Sequence, residues 1–545
     1  MTDIFSSQGW LCQTINAASD ALWTYLLIAV LLCCAVWFTL RSRGVQFRML
    51  GEMIRLLGDS ATGSSGRDSG TTGSDNGTID PKSGAGKKHV SSFQAFAVSV
   101  ATRVGTGNLA GVATAIAVGG PGAVFWMWLI ALLGSATAFV ESTLAQLYKK
   151  KAKDSFIGGP AYYIMQGLKM PWLSALFAIL ISVTFGLSYN SIQSNTICSA
   201  MDVAFGFDPK VVGIILTLLS LAVIFGGIHR IARVSSVIVP IMAIGYLALA
   251  LYVVLSNIGM IPSVIGMIVK DAFGITQIAG GGIGATMMNG IKRGLFSNEA
   301  GEGSAPNVAA TATTSHPVKQ GLIQALGVFT DTLVVCSCTA FIILFSGLDT
   351  TSGLNGIALT QAALEAEVGA FGKNFIAVAI LLFAYSSIIG NYYYGEVNIR
   401  FLSSLRRIRR SPASSASRSQ LSAGNGQLSA ENGQLSAENG QLSAENGQLS
   451  AGSSAPDGRT ALTIYRFLSG GVMVIFGAFA SLDLVWSIGD FFMALLTAVN
   501  LFAIVLLSKH VFRLLSDYTS QKRSGIKDPV FRRSQMPDLD IDCWE

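Results

Sequence analysis

The chain has 545 residues, of which 51% are apolar and only 12% are charged. Soluble globular proteins carry about 25% charged residues, so this composition excludes an ordinary soluble enzyme and a disordered chain. Seven cysteines without a CxxC pattern argue against a disulfide framework, and four scattered histidines argue against a metal cluster. The apolar content is enough for roughly ten passages through a bilayer at about 20 residues each.

The first apolar stretch covers about residues 21–40. Ten more follow in chain order, at about 92–118, 122–148, 172–200, 209–228, 234–256, 277–310, 321–346, 374–399, 462–481 and 484–507. Their lengths are near or above 18 residues and their charges are few, which favours spanning helices over buried soluble ones. The sequence therefore predicts an all-α polytopic membrane protein with eleven transmembrane helices.

Positive charges alternate between the segments that join these stretches. If the first helix runs from outside to inside, only Lys210, Lys270 and Lys373 lie on the outer side, and a few Lys and Arg residues lie within the stretches. Most of the 37 then lie inside. Cytoplasmic loops carry such an excess of positive charge. This pattern predicts a multi-pass protein of the cell membrane (plasma or inner), with its N-terminus outside and its C-terminus in the cytoplasm.

Two segments have no membrane pattern. Residues 59–86 are rich in Gly, Ser, Thr and Asp, which is typical of a flexible linker. Residues 411–456 contain the repeat Gln-Leu-Ser-Ala-Glu-Asn-Gly, visible from Gln427 to Gly447. A period of seven suggests a coiled coil, but each repeat has one Leu, and Asn-Gly interrupts any helix. We interpret the repeat as a low-complexity cytoplasmic loop.

The second and the seventh apolar stretches look broken in the middle. Glycines alternate with polar residues in 101–111 and again in 294–306. Such glycines can be simple packing notches between helices. Polar backbone at membrane depth is also tolerated where it lines a cavity or binds a ligand. Without the first stretch, the broken ones are the first and sixth of ten, the same place in two halves of five.

Two halves with an odd number of spans form an inverted repeat, in which broken helices meet near the membrane midplane. Free N–H groups at such a break suit a carboxylate, and free carbonyls suit a small cation, so a zwitterionic amino acid and Na⁺ fit this chemistry. The predicted organisation is: 1–57, the N-terminal segment with the first helix; 58–91, a cytoplasmic linker; 92–256, the first five-helix repeat; 277–507, the second repeat, interrupted by 411–456; and 508–545, a cytoplasmic tail.

Several long motifs resemble the alanine/glycine:cation symporter family, also described as sodium:alanine symporters. They lie at 105–128, 158–168, 294–307, 331–337 and 383–396. The resemblance extends over nearly all eleven stretches and leaves out the two low-complexity segments. It implies a fold like that of the leucine transporter, and uptake of small neutral amino acids driven by Na⁺, or by H⁺ in some relatives. It implies no cofactor other than the coupling ion, no enzymatic activity and no nucleic-acid partner.

The same resemblance implies a substrate site across the two breaks. In the first break, the backbone N–H groups would take the substrate carboxylate, while Thr106 and Asn108 would add side-chain oxygens. In the second break, Phe296 would cover the substrate, and Ser297 and Asn298 would offer oxygens to its ammonium group. The residues carried over are Gly105, Thr106, Gly107, Asn108, Phe296, Ser297 and Asn298.

A sodium site is implied by the neighbouring serines Ser386 and Ser387. The carbonyls of Ala101, Val104 and Phe383 would complete five oxygen ligands, and oxygen ligands select hard cations. Two adjacent serines in a helix can equally bond locally to the carbonyl four residues earlier.

Two residues depart from the family pattern. Many members have Trp where this chain has Asn391, at the edge of the pocket, and a smaller polar residue would widen the substrate range. Many have Met where this chain has Glu302. That carboxylate could bind a cation, a proton or a cationic substrate, or pair with Lys292 or Arg293. Charges inside membranes usually find partners.

Other interpretations remain open at this point. A proton-coupled symporter would use Glu302 or Asp331 as its proton site, and Arg103 is a candidate partner for Asp331. A channel or a membrane sensor needs no paired breaks, and no signalling domain is visible in the sequence. The sequence contains no Walker motif, so ATP-driven pumping has no support.

Overall fold

A computed structural model describes residues 9–61, 90–152, 156–226, 228–274, 282–350, 353–410, 456–541 and 543–544. The described chain is mostly helical, as the composition predicts. Most of the predicted linker 58–91 and nearly all of the predicted loop 411–456 lie outside the described residues. Two short strands, β1 (Lys150–Lys151) and β2 (Phe156–Ile157), pair antiparallel.

The helices up to the middle of the chain are α1 (Trp10–Arg41), α2 (Val45–Arg48), α3 (Leu50–Ala61), α4 (Ser92–Arg103), α5 (Gly107–Gly119), α6 (Ala123–Leu147), α7 (Pro160–Tyr163), α8 (Pro171–Phe205) and α9 (Pro209–Ile224). Those that follow are α10 (Ile228–Ser256), α11 (Ile261–Ala272), α12 (Ile283–Asn298), α13 (Ala305–Ala309), α14 (Pro317–Phe345), α15 (Gly356–Val368), α16 (Ala370–Arg410), α17 (Gly458–Phe479) and α18 (Leu482–Arg523).

Seven helices of the described chain are long and apolar enough to cross a membrane. An eighth span is possible if α10 and α11, which meet at a bend of 70°, count as one. Helices lie in the described part of all eleven predicted stretches, but α9 and the two broken stretches are too short as single helices to pass that test. The protein is therefore a multi-pass membrane protein with seven or more spanning helices, and a count of eleven remains a prediction.

Five helices were not predicted from the sequence: the single turns α2 and α7, and the longer α3, α11 and α15. Of the longer ones, α3 and α11 are amphipathic, with apolar residues on one side only, so they give no long apolar run. The last helix, α18, continues past the predicted boundary at residue 507 as far as Arg523.

Close packing of α12 against α6 positions the second break. A Cβ atom on Gly290 would lie 2.4 Å from the carbonyl oxygen of Ala123, and one on Gly294 would lie 2.7 Å from Ile130. The two backbones can approach this closely only because both residues are glycine, as in other membrane helix pairs. The chain after α18 folds back against the start of α14 and the end of α6. There the Phe531 N–H donates to the Ser315 carbonyl, and the Trp544 indole donates to the Leu147 carbonyl.

Candidate substrate and ion site

The first break separates α4 from α5. Val104 leaves the helical conformation with ψ of 99°, and the helix begins again at Gly107. Side chains satisfy the backbone in between: Gly105 N–H donates to Asn108 Oδ1 at 3.0 Å, and Thr106 N–H donates to Gln193 Oε1 at 3.3 Å. The Thr106 hydroxyl donates to the same oxygen at 2.6 Å. All of these groups are buried. Because they are amides and hydroxyls, the break is held by uncharged groups.

The second break separates α12 from α13. Glu299, Gly301 and Gly303 all have positive φ, which turns the chain sharply between the two helices. The Ala300 N–H donates to Asn298 Oδ1 at 3.0 Å, and the Gly301 N–H donates to the carboxylate of Glu141 at 3.3 Å. This break is therefore stabilised partly by a buried carboxylate.

The two breaks meet. A Cβ atom on Gly107 would lie only 2.9 Å from the Cα of Ser297, so the two chains are in backbone contact there. Asp331 on α14 joins them, because it accepts from Asn108 Nδ2 and from Ser297 Oγ, both at 2.7 Å. No ion pair between Asp331 and Arg103 is formed in the described chain, although Arg103 was the candidate partner.

An aromatic group covers one side of this junction. Phe296 packs between Tyr189 and Trp486, with ring centroids 4.6 and 4.7 Å away. The Tyr189 hydroxyl donates to Glu302 Oε2 at 3.0 Å. Trp486 lies in turn beneath the guanidinium of Arg293, at 4.2 Å. Of the three aromatic residues, only Phe296 was named as a pocket residue from the sequence.

The serine pair on α16 faces the end of α4. Ser386 and Ser387 both donate to the carbonyl of Phe383, at 2.7 and 3.1 Å, and to that of Ala101, at 3.3 Å each. Four of the five predicted sodium ligands therefore lie together. Val104 lies beside them at the end of α4. In the described chain, the Val104 carbonyl accepts no hydrogen bond from either serine hydroxyl. The local bonding of Ser387 to the residue four earlier is also present.

Asn391 lies one helical turn beyond Ser387 on α16. Its side chain is buried, and neither its amide nitrogen nor its amide oxygen has a hydrogen-bond partner in the described chain. A buried polar group without a partner costs about 1–3 kcal/mol. The helix passes close to α4 here, since a Cβ atom on Gly390 would lie 2.3 Å from Thr102. Asn391 shares a helix face with Ser387, which bonds to the Ala101 carbonyl, so it lies on the side of α16 that faces α4.

Glu302 does not pair with either of the bases considered from the sequence. Lys292 instead pairs with Asp20 at 2.7 Å, and Arg293 pairs with Asp490. Glu302 keeps the hydrogen bond from Tyr189, while its Oε1 atom has no partner among the described residues. A carboxylate without an ionic partner is held in the second break.

Gln193, Tyr189 and Trp486 belong to this site and were missed in the sequence. Tyr189 and Gln193 are four residues apart on α8, and therefore lie on one face of it. A glutamine inside an apolar stretch is the signal that could have identified them. Trp486 has no such signal, because aromatic residues are common at the ends of membrane helices.

The model of the sodium:alanine symporter family matches residues 8–412 and 455–533. The match is interrupted only at the repeat segment, so the first low-complexity segment belongs to the matched part, contrary to the sequence-based expectation. The chain is 46% identical over 97% of its length to the "Probable sodium/glutamine symporter GlnT" of Bacillus subtilis, and covers 95% of that protein.

Two other relatives from Bacillus subtilis match 97% of the chain and 97% of their own length. The "Amino-acid carrier protein AlsT" is 44% identical, and the "Putative sodium/proton-dependent alanine carrier protein YrbD" is 38% identical.

Proposed function

The chain belongs to the sodium:alanine symporter family, and from this membership we propose that it imports small neutral amino acids, alanine or glycine, together with Na⁺. The family and the names of the relatives make it an amino-acid transporter rather than an enzyme. In this proposal eleven helices cross the cell membrane, the N-terminus lies outside, and two inverted five-helix repeats enclose the site.

One observation carries the proposal: the two breaks touch each other, and Asp331 binds both. A helix start leaves its first N–H groups without intrahelical acceptors, so the start of α5 at Gly107 offers donors to a substrate carboxylate. Phe296 and its aromatic neighbours would cover the substrate's apolar part. Ser297 and Asn298 would face its ammonium group.

The sodium ion is assigned to the cluster of Ala101, Phe383, Ser386 and Ser387, with Val104 as the fifth ligand. The two hydroxyls that now donate to carbonyls would rotate, so that hydroxyl and carbonyl oxygens together face the cation. Five neutral oxygens suit a hard monovalent ion. Because the cluster adjoins the first break, ion binding there would order the backbone that receives the substrate, and the two affinities would be linked reciprocally.

A second substrate class is favoured by Asn391. Its unpaired amide is a donor and an acceptor on one planar group, and the substrate side chain that satisfies both is another carboxamide. A site built to form such bonds rejects analogues that lack them. A relative named as a probable sodium/glutamine symporter agrees with this alternative.

The test is uptake into sealed proteoliposomes. Labelled alanine, glycine and glutamine are each offered with an inward Na⁺ gradient, with a pH gradient alone, and with neither. We expect accumulation only with Na⁺. Accumulation driven by the pH gradient alone would favour proton coupling, for which Glu302 with its unpartnered oxygen is the first candidate site. Passive equilibration in all three conditions would indicate a channel.

The substrate alternatives separate in the same assay. Asn391→Leu removes the amide and keeps a similar volume. If the substrate is a carboxamide, glutamine uptake should fall at least tenfold relative to alanine uptake. Equal uptake of glutamine by both proteins would exclude recognition of a carboxamide substrate by Asn391.

A further inference from the structure

A cavity of about 380 Å³ lies where α1 ends beside the far part of α18. Four arginines line it: Arg41, Arg43, Arg48 and Arg523. The rest of the lining consists of hydroxyl residues and two apolar ones, with no carboxylate among the described lining residues. All four arginines are exposed to solvent, so water screens their mutual repulsion, and together they form a local positive field that attracts an anion.

These arginines have no ionic partners in the described structure. Arg41 lies over the rings of Trp37 and Phe512, at 5.5 and 5.4 Å, so aromatic contacts hold its position while its donors stay available. Arg48 donates one hydrogen bond, to the Ser42 carbonyl at 3.4 Å. The neighbouring acid Glu52 is already occupied by Arg55 and Lys522, outside the cavity.

The backbone presents three of the four arginines, Arg41, Arg43 and Arg48, on one wall. Arg43 and Gly44 both have positive φ, and this turn ends α1 and directs the chain into α2. On the opposite wall, Ser516 and Ser520 are one turn apart on α18 and exposed. Guanidinium groups bind phosphate oxygens in pairs of parallel hydrogen bonds, and hydroxyl groups complement them.

The position of the cavity indicates where its ligand comes from. Trp37 and Leu40 on α1 are 49% and 70% exposed, and Phe502 and Leu506 on α18 are 50% and 47% exposed. These apolar surfaces belong to spanning helices and lead directly to the arginines. A ligand with a phosphate at one end and hydrocarbon at the other matches both parts.

We propose that this cavity binds the phosphate group of an anionic phospholipid, whose acyl chains lie along the exposed apolar faces of α1 and α18. Basic pockets at the cytoplasmic ends of membrane helices bind such headgroups. The site is separate from the breaks, and the inference does not depend on the transported substrate.

The experiment is native mass spectrometry of the purified full chain in detergent, with phosphatidylglycerol or phosphatidylcholine added. The variant R41Q/R43Q/R523Q removes three lining charges. The matched control K151Q/R532Q/R533Q removes three exposed charges elsewhere. We expect the unaltered protein and the control to retain phosphatidylglycerol in preference to phosphatidylcholine. In the lining variant, the retained phosphatidylglycerol should fall at least tenfold.

Ser516→Asp is a second variant, in case the triple variant does not fold. It places a carboxylate in the cavity at an exposed position, and retention should fall here too. Unchanged retention in both variants would overturn the proposal. Glycerol 1-phosphate, the soluble headgroup analogue, is the remaining arm: if it displaces the lipid completely at equal concentration, the site takes a free phosphate and the lipid assignment is wrong.

Discussion

The two breaks, which the sequence predicts to occupy corresponding places in two repeats, are held by different chemistry. In the first, amide oxygens of Asn108 and Gln193 accept the freed N–H groups, and the serines of α16 lie behind it. In the second, the amide oxygen of Asn298 accepts one N–H and the carboxylate of Glu141 accepts another, and Glu302 lies in the same turn. Neutral oxygens can release a backbone group to a ligand at little cost. A buried carboxylate holds its donors more strongly.

The backbone conformations differ in the same direction. The first break needs only an extended residue, Val104, whereas three residues of the second have positive φ. Gly301 and Gly303 adopt positive φ without strain, but Glu299 keeps this conformation only when its surroundings impose it. Asn500 of α18 supplies part of this support, since it donates to both Glu141 and the Gly301 carbonyl at 2.8 Å. We infer that the first break adapts to ion and substrate, while the second is the more rigid wall.

The largest effect is expected where the breaks touch. Gly107→Ala would place a Cβ atom 2.9 Å from Ser297 Cα and 3.1 Å from the Phe296 ring, and backbone cannot move aside as a flexible side chain can. Misplacement of about 1 Å at a site costs roughly 100-fold in rate. Transport in proteoliposomes should therefore fall by about that factor. The control is Gly266→Ala on α11, which meets nothing within 4 Å and should transport normally.

Next comes the double change Ser386→Ala/Ser387→Ala, which removes two of five proposed oxygens on the side of the first break. Each lost hydrogen-bond-type ligand to a charge costs about 1.5–3 kcal/mol. The apparent Na⁺ affinity should fall at least tenfold, and alanine affinity at fixed Na⁺ should fall with it.

The matched control is Ser403→Ala/Ser404→Ala, another adjacent pair on α16, whose hydroxyls bond among the described residues only to carbonyls of their own helix. If both double variants keep the same Na⁺ dependence, the sodium assignment is wrong.

The sequence predicts the two breaks well, and predicts the elements that support them poorly. Glycines and polar residues inside apolar stretches mark 101–111 and 294–306, because soluble and lipid-facing helices both avoid that pattern. The contacts of Asp331 with Asn108 and Ser297 join residues more than 30 positions apart, and depend on how three helices pack. That packing cannot be predicted from the residues adjacent in the sequence.

Asn391 tests the side of the first break with a change of size. Asn391→Trp would fill the space around the unpaired amide. One buried methylene in such a pocket is worth about 1–3 kcal/mol, so larger neutral substrates should lose at least tenfold in uptake while glycine and alanine are kept. Competition by larger amino acids measures this. An unchanged competition profile would place Asn391 outside the pocket.

Glu302 tests the second break with a change of charge. Glu302→Gln keeps an acceptor for the Tyr189 hydroxyl, so the rigid wall should persist and Na⁺-driven uptake should change less than about threefold. Glu302→Leu removes the acceptor, leaves the hydroxyl buried and unpaired, and should lower the thermal stability further. Complete loss of uptake in the Gln variant alone would show that the charge itself takes part in coupling.

The smallest effect is expected for a carboxylate that lies outside the spanning helices and is fully paired. Glu52 on α3 accepts from Arg55 at 2.8 and 2.9 Å and from the Tyr518 hydroxyl at 2.6 Å, and it pairs with Lys522 at 3.0 Å. Burial raises the pKa of Glu52, but these hydrogen bonds outweigh it and hold the pKa at about 2. An unperturbed Glu titrates near about 4.3.

Because the folded pKa is the lower one, the charge of Glu52 stabilises the protein fully above about pH 4.3, and this contribution is lost as the pH falls towards about 2. Paired charges near the surface are worth little, so Glu52→Gln should lower the melting temperature at pH 7 by about 1–2 °C. The difference between variant and unaltered protein should shrink as the pH is lowered through that window, in detergent-solubilised protein. A difference that stays constant down to pH 3 would mean that shape, rather than charge, holds α3 against α18. A loss of transport at pH 7 would mean that this paired charge acts on the site although it lies outside the spanning helices.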